Sequence, residues 1–201
     1  MNWAVVVLTA PRPQPTLKRT LASLAAAGWP DVSVVRDEPP RGHFAAWIDA
    51  LTAVVAAEPR ADAYFLVEDD VVFCRGLRAY LERRLWPADP AEIALCSVFT
   101  PAAYRQPTPG WHPQRRGHYL VASQAWILPP GAARAVLNDL KGVPSAHNAD
   151  WMVGQWAEKA NRSVWYHTPS LAQHVGLGNS ALGDNLISDL RVADDFPGEC
   201  R

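Results

Sequence analysis

Apolar and polar positions alternate along this chain in two periods. Short β-rich apolar runs recur at Trp3 to Thr9, Val32 to Arg36, Tyr64 to Val72, Ile93 to Phe99, Tyr119 to Leu128 and Val164 to His167. Their lengths and polar boundaries predict buried strands. Between them lie segments with apolar residues at helical spacing. Leu17, Leu21 and Leu24 form one such face, with Thr16 as its cap and Gly28 as its end. Phe44 to Ala57 is a second helix, carrying Trp47, Ile48, Leu51 and Val55 on one side, and Leu77 to Leu85 is a third, basic one. Pro129-Pro130-Gly131 opens a helix that runs through Leu140, and Asp150 to Ala160 reads as the last helix. Strands and helices in alternation predict an α/β fold, with a mostly parallel central sheet flanked by helices. Thr100 to His118 reads as a long loop rich in Pro, Arg and aromatic residues, and Pro169 onward as a Gly-rich tail. No repeat, low-complexity tract or linker interrupts the pattern, so residues 1–201 are read as one domain.

Composition narrows this picture only a little. The 201 residues are enough for one substantial domain, and 49% of them are hydrophobic, which supports a large core and disfavours wholesale disorder. A net charge of -1 gives no global pull toward nucleic acid or an anionic membrane, and leaves room only for a local basic patch. Cys74, Cys96 and Cys200 are an odd, scattered set that suggests neither a disulfide framework nor a zinc site. Met1-Asn2-Trp3 lacks a basic n-region, and Ala4 to Leu8 is too short for a signal peptide or a membrane span. The expectation is a soluble cytoplasmic protein with no membrane segment. Nine Trp residues serve a core first, though such rings also stack on sugars and bases.

The chemistry gathers at the end of the third run. Tyr64-Phe65-Leu66-Val67 leads straight into Glu68-Asp69-Asp70, and Val71-Val72 follows. Adjacent carboxylates repel one another and resist losing water, so stability alone does not put three of them at the tip of a buried strand. A cation resolves the repulsion, and oxygen-only ligands suit a hard ion such as Mg²⁺ or Mn²⁺. On an extended chain Glu68 and Asp70 share one face and Asp69 points the other way. The expectation is a divalent metal carrying a phosphate group, against the plainer alternative of an acidic turn or helix cap. Ligands of open α/β sheets sit beyond the carboxyl ends of the strands. Two further strand ends carry polar groups there. Thr9 and Ala10 offer backbone groups, Arg12 a phosphate contact, and Asp37 an acid for a base or ribose. A solvated loop position for Arg12 and a turn role for Asp37 before its Pro pair are equally good readings. The sequence has no Gly-x-Gly-x-x-Gly and no P-loop, so neither a Rossmann dinucleotide site nor a Walker ATP site is supported.

Four pieces, in their order, carry a resemblance. They are Val6-Val7-Leu8-Thr9, the Glu68-Asp69-Asp70 strand end, Asp150-Trp151 at a helix start, and Pro169-Ser170-Leu171-Ala172-Gln173-His174-Val175-Gly176. Together they resemble a GT-A fold glycosyltransferase over residues 3 to 180, and Glu-Asp-Asp resembles the Asp-x-Asp variant of the N-acetylglucosaminyltransferase I group. Ser123-Gln124-Ala125-Trp126-Ile127-Leu128-Pro129-Pro130-Gly131-Ala132 resembles the strand–helix joint before the acceptor site of several such families. The resemblance implies a nucleotide-sugar donor, a UDP-sugar above all, and Mn²⁺ or Mg²⁺ as cofactor. It implies Asp70 as the principal metal ligand, Glu68 or Asp69 on ribose or metal-bound water, His174 aimed at the metal or diphosphate, and Gln124 beside the donor. Asp150 matches the general base of inverting members. It also suits a helix N-cap, and His174 also suits a structural role. Residues 3–99 would form the nucleotide- and metal-binding half, 100–180 the acceptor side and 181–201 a tail.

The acceptor implied is a glycan or small molecule, or a hydroxymethylated DNA base. Tyr104, Trp111, His112, Arg115, Arg116 and His118 in the long loop, with Arg75, Arg78, Arg83 and Arg84, suit either. Rival readings are a metal-dependent phosphoesterase or nucleotidyltransferase and a non-catalytic sugar-binding module. A glycoside hydrolase needs two opposed carboxylates, and Glu68 to Asp70 lie too close along the chain to supply both.

Overall fold

The computed structural model describes residues 1–114, 120–176 and 190–198. In chain order its first half runs β1 (Trp3–Thr9), α1 (Leu17–Ala27), β2 (Ser33–Arg36), α2 (His43–Ala57), β3 (Ala63–Glu68), β4 (Val71–Phe73) and α3 (Leu77–Arg84). The second half runs β5 (Ile93–Ser97), β6 (Gly110–Pro113), β7 (Ala125–Leu128), α4 (Pro130–Leu140), α5 (Ala149–Lys159), β8 (Ser163–Thr168) and β9 (Ala172–His174). Seven strands form one sheet in the order β2-β1-β3-β7-β5-β8-β6. Five of them run one way, and β7 and β6 run against the rest. β4 and β9 form a separate antiparallel pair.

Both faces of the sheet are covered, which is why its central strands read as unbroken apolar runs. The side chains of β1 still alternate. Ala4, Val6 and Leu8 face α2, α4 and α5, where Trp47 meets Trp126 edge to face at 5.5 Å. Val5 and Val7 face α1 and α3 in a second core that includes Trp29, Phe65 and Phe73. α1 ends at Gly28 in the left-handed region (φ 116°), and the Trp29 amide donates back to the Leu24 carbonyl. Pro130 takes the first position of α4.

Four expectations need correction. The run Tyr64 to Val72 is two strands, because the chain turns at Asp69-Asp70 and leaves the main sheet. Within the expected strand Tyr119 to Leu128, the described residues from Leu120 on are strand over Ala125–Leu128. The long loop contains β6 and a short 3-10 turn at Ala102–Tyr104. The tail begins with β9, which the β4 edge draws into pairing. Arg115, Arg116, His118, Tyr119, Cys200 and most of 181–201 lie outside the described residues.

Candidate functional site

The strand register levels the carboxyl ends of three strands. Leu8 pairs with Glu68 and Thr9 with Arg36, so Thr9, Asp37 and Glu68 finish side by side. Beyond them lies an open crevice of about 110 Å³ whose wall includes Ala10, Arg12, Asp37, His43, Glu68, Asp69 and Asp70. Six of the residues expected at a ligand site therefore meet in one place.

The acidic turn is held from α1. The Thr20 hydroxyl donates to the Asp69 carbonyl at 2.7 Å and accepts the Val71 amide at 3.2 Å, and the Ser23 hydroxyl accepts the Phe73 amide at 2.7 Å. This turn overturns the expected sharing of faces. Asp69 and Asp70 both grip Arg12, Asp69 in a short contact and Asp70 Oδ2 at 2.8 Å. Glu68 turns instead to His43 and Ser123. Arg12 is not a solvated loop arginine, since its side chain is only 6% exposed.

The three acids differ in environment. Burial and the neighbouring carboxylates push Asp69 up to about 6, against the pull of Arg12 and of the Thr9 hydroxyl, which donates to Oδ2 at 2.5 Å. Burial also opposes charge on Asp70, but His174 and Arg12 prevail and hold it below the ordinary value. His174 reaches it across the β4–β9 ladder, with Nε2 at 3.2 Å from Asp70 Oδ2 and Nδ1 at 3.2 Å from the Arg191 carbonyl. Both ring nitrogens thus face acceptors. Despite burial, this favours the imidazolium, and the pKa of His174 is raised.

Four of the expected residues stand apart from the crevice wall: His174, which reaches it through Asp70, and three more. Thr9 acts through Asp69. Gln124 gives its carbonyl to the Glu68 amide at 2.8 Å, while its Oε1 is buried without a partner among the described residues. Asp150 sits on the first turn of α5, where its Oδ1 accepts the Trp151 amide at 2.9 Å, and burial raises its pKa. Asp37 lines the crevice but is braced by Arg41, through the backbone amide and Nε at 3.2 Å each.

The sequence reading missed four participants: Thr20, His43, Ser123 and Gly176. His43 Nε2 lies 3.0 Å from Glu68 Oε1 and 3.3 Å from Ser123 Oγ, and the Ser123 hydroxyl donates to the same carboxylate oxygen at 2.5 Å. Gly176 covers Asp70 so closely that a Cβ there would stand 2.3 Å from Oδ2. Ser123 and Gly176 stood inside the stretches that carry the resemblance without a role of their own, and Thr20 and His43 were not singled out.

Asp70 tests whether a hard divalent ion suits this cluster. Its Oδ1 is buried and has no hydrogen-bond partner among the described residues, which is the state of a carboxylate oxygen that a cation would satisfy. Oδ2 is already engaged, and no three His, Cys, Asp or Glu among the described residues form a ready metal cage. The fit is that of an ion with one or two protein carboxylates whose remaining ligands are phosphate oxygens and water, the usual habit of Mg²⁺.

No protein-family model matches this chain, and no curated protein matches it. Solved structures similar in fold include a glycosyltransferase involved in the glycosylation of the major capsid of PBCV-1, at 10% identity, 83% of each chain and a TM-score of 0.49. A197 from STIV is similar at 12% identity over 92% of this chain and 87% of that one, with a TM-score of 0.47. At these values neither neighbour assigns a residue or an activity to this chain. Among the described residues no helix is long and apolar enough to cross a membrane.

Proposed function

We propose that this chain is a metal-assisted glycosyltransferase that moves a sugar from a nucleoside diphosphate sugar, a UDP-sugar first among them, to an acceptor hydroxyl. The observation that carries the reading is the crevice at the ends of β1, β2 and β3, where Arg12, Asp37 and Glu68 to Asp70 converge and Asp70 Oδ1 is left unsatisfied. A phosphodiester hydrolase or nucleotidyltransferase would also use carboxylates at a strand tip, but it leaves a half-buried acid on a separate helix start, Asp150, without work.

Mn²⁺ or Mg²⁺, held by Asp70 and by the donor's own oxygens, would offset the negative charge that grows on the departing diphosphate. Arg12 holds two carboxylates now, and its guanidinium is suited to exchange one of them for a phosphate oxygen. His174, charged, keeps Asp70 ionised beneath the donor. Asp37, braced by Arg41, offers its carboxylate at the ribose end of the crevice. Asp150, with its raised pKa, accepts the proton of the attacking hydroxyl, and inversion at the anomeric carbon follows from attack on the face opposite the leaving group.

The acceptor we propose is a glycan or small molecule rather than DNA. Arg78 is paired with Glu82 at 3.0 Å and Arg84 lies over the Tyr80 ring, so the basic helix is partly neutralised by its own neighbours.

The test is a panel of nucleoside diphosphates and their sugars, with and without Mn²⁺. A ligand at 100 times its Kd adds about 2.7 kcal/mol, which for a chain of this size raises Tm by about 5–10 °C. The expected result is stabilisation by one nucleotide series that needs the metal, slow donor hydrolysis, and loss of both in Asp70→Asn. Stabilisation indifferent to metal and unchanged in Asp70→Asn would refute the reading.

A further inference from the structure

The start of α5 is tied to the crevice by the side chain of His43, in addition to the hydrogen bond that Asp150 itself takes from the Ala122 backbone. α5 follows residues 141–148, nearly all of them exposed, so little on that side holds its first turn in place. Asn148 occupies the N-cap position but makes no side-chain cap bond. The first helical amide, at Ala149, instead donates to His43 Nδ1 at 3.1 Å. A helix begins with amides that have no partner of their own, and here the partner is imported from α2. Burial opposes charge on His43 and Glu68 overcomes it, raising its pKa, but an Nδ1 that accepts belongs to the neutral ring, whose hydrogen sits on Nε2 and is donated to Glu68 Oε1. The ring is 12% exposed, stands in the crevice wall, and begins α2 directly after Gly42, whose φ of 102° turns the chain inward.

One imidazole therefore joins an acid of the crevice to the residue preceding Asp150. Apolar contacts of Ala149, Val153, Trp156 and Ala157 press α5 onto the sheet, but such contacts are non-directional and tolerate small slides. A hydrogen bond at each end of a rigid ring does not. We propose that His43 is a positioning residue that fixes where Asp150 stands relative to the crevice, through Glu68 on one side and the first amide of α5 on the other. The consequence for catalysis rests on the transferase reading above, whereas the tie itself does not.

Three variants test it. His43→Phe keeps a ring and removes both polar ends. His43→Gln restores one donor and one acceptor. Ala149→Pro removes the amide hydrogen and sets ring carbons against the His43 ring, at a helix position that proline suits. Hydrogen exchange of the amides at 150–153 is expected to quicken in His43→Phe and Ala149→Pro and to recover in His43→Gln. In the transfer assay kcat is expected to fall about 100-fold in the first two, as a misplaced base predicts. Ala149 lies outside the crevice wall, so in Ala149→Pro donor affinity and acceptor-independent donor hydrolysis should stay within about threefold. A residue that merely held the fold would lower donor binding and kcat together and would gain nothing from the Gln replacement. Unchanged exchange in His43→Phe overturns the proposal, as does a parallel loss of donor affinity in Ala149→Pro. If His43→Phe does not fold, Ala149→Pro decides the same question. A wild-type protein inert toward every sugar nucleotide would sink the transferase reading, and exchange would still judge the tie.

Discussion

Gly176 lies close against Asp70 with no room for a side chain, which makes Gly176→Ala a demanding perturbation. An added Cβ would lie 2.3 Å from Asp70 Oδ2, 2.8 Å from Cγ and 2.9 Å from Cβ. The backbone of Gly176 is outside the left-handed region, so alanine brings no conformational penalty, only the methyl group. Asp70 has nowhere to yield. Its Oδ2 takes Arg12 at 2.8 Å and His174 at 3.2 Å, and its carbonyl accepts the Val175 amide at 2.7 Å, which ties the covering segment down. Overfilling a packed site costs about 1–3 kcal/mol. Pulling a carboxylate off charged partners adds about 1.5–3 kcal/mol. At 2–4 °C per kcal/mol for a chain of this size, Tm should fall by about 5–24 °C. Gly131→Ala is the matched control. Gly131 is exposed on α4, with nothing within 4 Å of the place an added methyl group would take, so the change should stabilise by about 0.5–1 kcal/mol. Thermal melts and urea titrations of both variants provide the measurement. If Gly131→Ala gains as expected while Gly176→Ala melts within about 1 °C of wild type, the segment 174–176 does not sit on Asp70 and the assembly of the site is wrong.

Three further outcomes are expected. Asp150→Asn should keep metal-dependent stabilisation by the nucleotide and lose about 100-fold or more in kcat, and unchanged turnover would remove Asp150 from the mechanism. His174 has a raised pKa in the fold, so its charge stabilises the protein fully below the ordinary histidine value of 6.5 and progressively less as pH rises through the raised one. The Tm gap between wild type and His174→Gln should accordingly be wide near about pH 5.5 and narrow near about pH 9, and a gap of constant width would show that the imidazolium is not what binds Asp70. Thr20→Val replaces the buried hydroxyl that bridges the Asp69 carbonyl and the Val71 amide, at a cost of about 1–3 kcal/mol, read as a lowered urea midpoint. A midpoint equal to wild type would mean that α1 does not hold the acidic turn.

What the sequence by itself determined was whatever local chemistry controls. A strand buried on both faces must be apolar throughout, so β1 and β3 stood out. Helix ends need particular residues, so Gly28 and Pro130 marked theirs. Three acids at an apolar strand tip called for a positive partner, but the sequence offered Arg12 as a phosphate contact or a solvated arginine alike, and His174 only through the resemblance. The tertiary structure decided everything that depends on partners distant in sequence. The acid run breaks at Asp69 because Thr20, 49 residues earlier, satisfies the turn, and no local preference encodes that. β9 is a strand because β4 offers it an edge. His43 matters only through Glu68, Ser123 and Ala149, which lie 25, 80 and 106 residues away. A hydrogen bond has no length along the chain, so a polar side chain with remote partners leaves no period to read. Its meaning exists only once the fold has closed.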